Sequence, residues 1–151
     1  MAGQAVSKNI LINNNLSEIE RLSKAVAEFG KKHNLASEVI YDVRLSLEEV
    51  VSNIINYGFE DNFEHQISIE MNLQEETLTI KIKDDGKPFN PLEVKNSNLE
   101  KPFDEREIGG MGIYIVQQLM DELRYNREKD KNILLLRKHI SNRSSDEKIG
   151  S

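Results

Sequence analysis

The amino-acid sequence predicts an α/β (α+β) domain, a two-layer sandwich in which helices cover one face of a mixed β-sheet. Two kinds of periodicity lead to this prediction. Short segments alternate apolar and polar residues, as strands with one buried face do. Longer segments repeat apolar residues every three or four positions, which is typical of amphipathic helices. Their order is strand, two helices, two strands, loop, helix and two strands, which favours two packed layers.

The first strand is predicted at residues 7–13, and the first helix follows it directly. Asn14, Asn15 and Ser17 are all candidate N-caps. Ser17 and Glu20 have the spacing of a capping box, which favours a helix start at these residues. Gly30, followed by basic residues, suits the end of that helix. The buried stripe of the helix is expected to consist of five apolar residues: Leu16, Ile19, Leu22, Val26 and Phe29.

The remaining elements follow from the same periodicities. A long second helix ends before Gly58, and a β-hairpin follows it. A proline-containing loop then precedes the third helix, and loops of this length are usually functional or disordered. The predicted segments are the helix 37–57, the strands 65–73 and 77–83, the loop 84–107, the helix 113–120, and the strands 122–126 and 132–138. One domain is expected at residues 1–140, followed by a disordered polar tail at 141–151.

Composition limits the possible functions. The chain has 151 residues, 38% of them hydrophobic, which suits a single core. It has no cysteine, so a disulfide framework, a thiolate zinc site and a cysteine nucleophile are excluded. No apolar run reaches the roughly 20 residues of a membrane-spanning helix, and no signal peptide is evident. The net charge of -6 argues against direct nucleic-acid binding. We expect a cytoplasmic protein without membrane contact.

The second helix contains a polar pair at the edge of its apolar stripe. Glu49 and Asn53 are four residues apart, so they project about 40° from each other. A carboxylate and a carboxamide on one face can activate a hydroxyl or water and hold a hard cation through oxygen. Taken alone, such a pair is more typical of a solvated helix flank.

Two further motifs follow the second strand of the hairpin. Asp84 and Gly86 could accept a hydrogen bond from a ligand amino group and let the backbone approach closely, although Asp and Gly are also the usual turn residues. Glycines at 109–112 precede the third helix, where backbone N–H groups can bind phosphate. They form neither a dinucleotide fingerprint nor a P-loop. Together with the helix pair, these motifs indicate a nucleotide site.

Three segments, LEEVVSNIINYGF, DDGKPFNP and GGMGIYIVQQLMDELRY, resemble the ATP-binding boxes of the superfamily that unites gyrase, the heat-shock chaperone, histidine kinases and mismatch-repair ATPases. They are most similar to its small single-domain branch, which contains the bacterial anti-sigma-factor serine kinases. The resemblance covers residues 10–137 and implies the Bergerat (histidine-kinase-like) ATP-binding fold. Two positions depart from the pattern: Tyr57 stands where these kinases often have His, and Pro88 where the superfamily often has Gly.

The resemblance implies a role for each matching residue. Glu49 would be the base that deprotonates a serine hydroxyl, and Asn53 would coordinate Mg²⁺ on the ATP phosphates. Asp84 would accept from the adenine amino group, with Gly86 allowing close approach. The alternative base, Glu48, points about 100° away from Glu49. The other implied ATP contacts are the backbone of Gly110, Met111 and Gly112 and, in a lid at residues 87–108, the candidate cations Lys87 and Arg106.

The implied activity is that of an ATP-dependent serine/threonine protein kinase that acts as an anti-sigma factor. It would phosphorylate an anti-sigma-factor antagonist on serine, sequester a sigma factor and form a homodimer, with ATP and Mg²⁺ as cofactors. Two alternatives remain: a nucleotide-regulated protein-binding module without kinase activity, and a simple ATPase. The acidic charge balance fits all three, because backbone N–H groups and a helix dipole can hold a Mg²⁺–ATP complex. An acidic surface would also suit a partner with a basic patch.

Overall fold

The computed structural model describes residues 5–93 and 112–140. These residues form one five-stranded sheet and three α-helices, so the predicted two-layer α+β arrangement is confirmed. The elements are β1 (Ala5–Asn13), α1 (Ile19–Lys32), α2 (Ser37–Tyr57), β2 (Gln66–Gln74), β3 (Thr77–Asp84), α3 (Gly112–Leu119), β4 (Glu122–Glu128) and β5 (Lys131–His139). Short 3₁₀ turns cover Leu16–Glu18 and Pro91–Glu93. In this part of the chain, no helix is long and apolar enough to cross a membrane.

The strand directions differ from the mixed sheet that the sequence predicted. The strand order is β1-β2-β3-β5-β4, and all four described pairings are antiparallel. Two helices between β1 and β2 return the chain to the end of the sheet where β1 stops, so β2 runs in the opposite direction. The single helix α3 leaves β3 and β4 running the same way, but β5 folds back between them. The expectation of a mixed sheet is therefore wrong for these strands.

One face of the sheet forms the core. Ile69 pairs with Ile82, and Ile82 pairs with Leu134 on the other side; all three are almost fully buried. They form one apolar cluster with side chains of α1, α2 and α3. Burying a side chain of this size stabilises the fold by about 1.5–3 kcal/mol. The alternating pattern of the sequence thus places the helices on one face of the sheet.

The predicted capping box at the start of the first helix is wrong. Asn15 Oδ1 accepts a hydrogen bond from Ser17 N at 3.0 Å and caps a 3₁₀ turn, and α1 begins after that turn. The carboxylate of Glu18 accepts from Asn13 N at 3.0 Å instead of capping α1. Leu16 was expected in the buried stripe, but it is 49% exposed because it lies in the 3₁₀ turn.

The second helix has the predicted bounds, and α1 crosses it closely. A Cβ atom on Gly30 would overlap the side chain of Ile40, so the glycine allows the two helices to approach. The first helix accordingly continues past Gly30 to Lys32. The same helix also contacts α3 and the turn Pro91–Glu93. These contacts hold α2 firmly, and α2 carries the first candidate site residues.

Candidate functional site

Glu49 and Asn53 lie on α2 at the margin between the core and the surface. Asn53 is only 8% exposed, and its Nδ2 atom has no hydrogen-bond partner among the described residues. A buried polar atom of this kind is rare and calls for a ligand, ion or water to complete it. Glu49 is half-buried, and its pKa is raised, first by burial and then by the negative charge of Glu48. A carboxylate with a raised pKa accepts a proton more readily, as a general base must.

Asp84 is the last residue of β3, and its carboxylate is 4% exposed. Its Oδ1 atom accepts hydrogen bonds from the backbone N–H of Gly86 and from Nδ2 of Asn132, both at 2.9 Å. Burial raises the pKa of Asp84, while these two hydrogen bonds and the charge of Arg127 act in the opposite direction. The described bonds leave Oδ2 as the oxygen that can accept from a ligand.

Asn132 supports the candidate site, and the sequence interpretation missed it. It begins the buried face of β5, directly opposite Asp84 in the strand register. Its Nδ2 donates to Asp84 and, at 2.8 Å, to the carbonyl oxygen of Lys87. Its Oδ1 accepts from the Phe89 backbone N–H at 3.2 Å and from the Tyr125 hydroxyl. A polar residue at a buried position of the strand pattern was the available signal.

The turn after β3 is built against the end of α2. Lys87 N donates to the carbonyl oxygen of Gly58, the C-cap residue of α2, at 3.0 Å. A Cβ atom on Gly86 would overlap the same carbonyl oxygen, so this position requires glycine. Gly86 was expected to allow close approach of a ligand; the structure gives it close packing against protein backbone. This contact brings the Asp84 turn to the end of the helix that carries Asn53.

Two side chains from other elements complete the turn. Arg127 of β4 donates to the carbonyl oxygen of Gly86 at 2.8 Å and to Asn132 Oδ1 at 3.2 Å. The ring of Phe89 lies 6.3 Å from that of Tyr57, measured between centroids. The turn therefore touches α2, β4 and β5 at once. Sequence spacing gave no indication of the β4 contact, because Arg127 is about 40 residues away from the turn.

The remaining predicted site residues have different outcomes. Lys87, a candidate ATP cation, forms an exposed ion pair with Glu60 at 3.2 Å. Gly112 is the first residue of α3. Arg106, Gly110 and Met111 lie outside the described residues, as do positions 94–108 of the expected lid and the expected tail at 141–151. Within residues 5–93 and 112–140, no group of three or more His, Asp or Glu side chains could hold a metal ion.

Comparison with known proteins decides the family. The sequence profile of the histidine kinase-like ATPase domain matches residues 12–138. The chain belongs to this family. Similar histidine kinase-like ATPases include serine-protein kinase RsbW of Oceanobacillus iheyensis, 26% identical over 113 residues, 72% of this chain and 71% of that protein. The anti-sigma F factor of Clostridium perfringens is 30% identical over 118 residues, 78% of this chain and 84% of that protein. The family predicted from the sequence is confirmed.

The fold comparison agrees with this assignment. The crystal structure of the RsbU and RsbW domains of a Mycobacterium tuberculosis protein superimposes with a TM-score of 0.64 at 11% identity. The match covers 92% of this chain and 34% of that longer chain. Identity this low concerns the fold alone. The histidine-kinase-like ATPase fold expected from the sequence is therefore confirmed.

Proposed function

We propose that this histidine kinase-like ATPase is an ATP-dependent serine protein kinase that acts as an anti-sigma factor. It phosphorylates an antagonist protein on serine, sequesters a sigma factor and works as a homodimer of one ATP-binding domain at residues 1–140. The names of its relatives support this proposal, since they include serine-protein kinases and anti-sigma factors. The identities of 26–30% leave the activity of this chain to be tested directly.

One structural observation carries the proposal. The buried carboxylate of Asp84 lies in a turn that packs directly on the end of the helix bearing Glu49 and Asn53. Asp84 is a hydrogen-bond acceptor suited to a nucleobase. Glu49 and Asn53 are a polar pair suited to the phosphates and to the hydroxyl that accepts the phosphoryl group, and the packing of the turn on the helix joins the two parts. Ligand sites commonly rely on a few well-fixed polar groups of this kind.

The residues present fit an adenine nucleotide. Asp84 Oδ1 is engaged by protein donors, whereas Oδ2 can accept from the exocyclic amino group of adenine. The buried Nδ2 atom of Asn53 has no partner among the described residues. It can therefore donate a hydrogen bond to a ligand without giving up a described one. Gly112 opens α3, and backbone N–H groups at a helix start favour phosphate.

The residues also fit a magnesium ion held together with the nucleotide. Mg²⁺ would be held through Oδ1 of Asn53, with substrate phosphates and water as the other oxygen ligands, while the unpartnered Nδ2 donor suits a phosphate oxygen. The described part of the chain has no cluster that would hold a metal by itself. Bound Mg²⁺ would supply charge neutralisation at the phosphates during transfer.

Glu49 acts as the general base in phosphoryl transfer. Its carboxylate takes the proton of the serine hydroxyl while the serine oxygen bonds to the γ-phosphorus, and the bond to the bridging oxygen of ADP breaks. The raised pKa of Glu49, caused first by burial, increases its basicity for this step. Positioning then accounts for most of the remaining rate enhancement, as in other phosphoryl transfers. Lys87 and Arg106 are the lid residues that we propose as cations binding ATP.

Transfer of label from γ-labelled ATP tests the proposal. The purified chain is incubated with Mg²⁺, the labelled nucleotide and small candidate antagonist proteins encoded near its gene. We expect label on an antagonist serine with the unmodified chain and none with Glu49→Ala, which should still bind ATP. Binding of ATP without label transfer to any antagonist would instead identify a nucleotide-regulated binding module. Release of phosphate with no protein acceptor would identify a simple ATPase.

A further inference from the structure

His65 joins two segments that border the candidate nucleotide site. Its Nε2 atom lies 2.7 Å from Asp61 Oδ1, and its Nδ1 atom lies 2.9 Å from Asp85 Oδ1. Asp61 belongs to the loop that follows α2, and Asp85 belongs to the turn that follows β3. The imidazole ring also stacks on Phe59, with 4.6 Å between ring centroids and 23° between planes. One side chain therefore links the loop after α2 to the turn after β3.

The backbone of His65 is fixed independently of its ring. Its N–H donates to Asn14 Oδ1, and its carbonyl oxygen accepts from Asn14 N, both at 2.9 Å. These two bonds attach the residue to the end of β1. Loss of the ring proton therefore leaves the backbone anchored and changes the contacts to the two carboxylates, whereas replacement of the ring also removes the stacking on Phe59.

The turn that His65 holds is the one that carries Asp84. Asp85 stands between Asp84 and Gly86, and a Cβ atom on Gly86 would lie 3.1 Å from Phe59 Cε1. The ring and its stacking partner thus support the outer side of this turn. On the inner side, Asn132 and Arg127 hold the same turn.

Both ring contacts can be hydrogen bonds only when the imidazole is protonated. A neutral ring has one N–H group, so one of the two carboxylates would face a nitrogen lone pair. The hydrogen bond to Asp61 contributes most to the raised pKa of His65; burial opposes it, and the hydrogen bond to Asp85 and the charges of both carboxylates raise the pKa further. Charged groups face the ring from two segments, Asp61 from its own loop and Asp85 from the β3 turn. Phe59, which stacks on the ring, is uncharged.

We propose that His65 is a positioning residue whose imidazolium holds the Asp84 turn in the form that binds nucleotide, so that proton uptake and nucleotide binding favour each other. The inference rests on the proposed function, because the turn matters only if it contacts the nucleotide. A neutral ring keeps one N–H group, and the shorter contact, 2.7 Å to Asp61 against 2.9 Å to Asp85, favours Asp61 as its acceptor. Loss of the proton therefore releases Asp85 and leaves the turn without its outer support. Affinity should then be full at acidic pH and should fall as the pH rises through the pKa of His65.

Proton NMR and nucleotide titration test the proposal on the full chain. The chain has three histidines, so the signal of His65 is assigned by its loss in His65→Gln. Affinity for ADP is measured from about pH 6 to about pH 8.5, the range in which histidine titrates. His139→Gln is the matched control, because the His139 side chain is 63% exposed and its ion pair with Glu76 among the described residues is long, at 4.0 Å.

We expect the pKa of His65 to rise when ADP is added. Across the measured pH range, the affinity of the unmodified chain for ADP should fall about threefold to tenfold more than the affinity of His65→Gln falls. His139→Gln should behave like the unmodified chain. Asp85→Asn retains the ring and its contact with Asp61, and it should remove the coupling even if His65→Gln folds poorly. The phosphate groups of ADP titrate equally in every variant, so the difference between variants reports His65.

Failure of this inference and failure of the proposed function give different results. ADP binding with one common pH profile for the unmodified chain, His65→Gln and Asp85→Asn would overturn this inference and leave the proposed function intact. The same holds if ADP binds and the pKa of His65 does not change. Absence of ADP binding by all variants at every pH would overturn the proposed function, and this inference with it.

Discussion

Asn132 donates its side-chain amide to Asp84 across a register pair of neighbouring strands, at 2.9 Å. The pair is buried, and it is the polar end of an otherwise apolar row on the inner face of the sheet. A buried carboxylate is tolerated only when hydrogen bonds compensate for lost hydration. Asn132 supplies one such bond, and it also ties the carboxylate to the turn through Lys87.

Substitution Asn132→Ala should therefore affect both stability and binding. It leaves a buried carboxylate with one bond fewer and frees the turn at the carbonyl of Lys87. We expect a loss of about 1–3 kcal/mol in the free energy of unfolding and weaker ADP binding. Chemical denaturation and titration calorimetry measure the two effects. Asn126→Ala, at an exposed position of β4, is the control and should change neither; an unchanged Asn132→Ala would contradict the role of this bond.

Gly86→Ala tests the contact between the turn and α2. The added Cβ atom overlaps the carbonyl oxygen of Gly58, so the turn must move away from the helix end. We expect a destabilisation of about 1–3 kcal/mol, the usual cost of overpacking, together with weaker ADP binding. Glu60→Ala serves as the comparison, since it removes only the exposed ion pair with Lys87, which is worth less than about 1 kcal/mol. Equal stability of the two variants would argue against the contact.

The sequence predicted the elements better than their ends and caps. Periodicity located every described strand and helix, because one buried face imposes it directly. Of the three candidate N-caps, Asn15 is the one that caps, and it caps a 3₁₀ turn before α1; the capping box at Ser17 was predicted wrongly because Asn15 accepts from the Ser17 backbone N–H. The antiparallel direction of the strands was also missed, because periodicity carries no information on which strands are neighbours in the sheet.

For the candidate site, local motifs identified Asp84 and Asn53 but not the residues that support them. Asn132 and Arg127 reach Asp84 only through the pairing of β3, β4 and β5. Nothing in the sequence singled out His65, because its partners are carboxylates that only the fold brings together. Contacts that depend on strand order and loop placement are not encoded in sequence spacing.

Asn53→Ala should separate function from stability. The Nδ2 atom of Asn53 is buried and has no partner among the described residues, so its removal relieves an uncompensated polar group. We expect the free energy of unfolding to change by less than about 1 kcal/mol, while the Mg²⁺-dependent part of ATP affinity is lost. Leu47→Ala on the same helix, at 1% exposure, should cost about 2–5 kcal/mol. Denaturation and ATP titration with and without Mg²⁺ provide the measurements, and unchanged Mg²⁺ dependence would exclude the metal role.

Glu49 and its neighbour Glu48 give the sharpest test of the catalytic base. Burial and then the charge of Glu48 raise the pKa of Glu49, and the base must be deprotonated to act. The rate of phosphoryl transfer should therefore fall as the pH decreases through that raised pKa. Glu49→Gln should abolish transfer and retain ATP binding.

Glu48→Gln is the matched variant, one position along the same helix. It should retain transfer, and its rate should persist to lower pH, because removing the like charge lowers the pKa of Glu49. The pH dependence of label transfer from γ-labelled ATP, measured for both variants, distinguishes the two carboxylates. If Glu48→Gln abolished transfer while Glu49→Gln retained it, Glu48 would be the base, and its position about 100° around the helix would place the serine acceptor on a different side of α2.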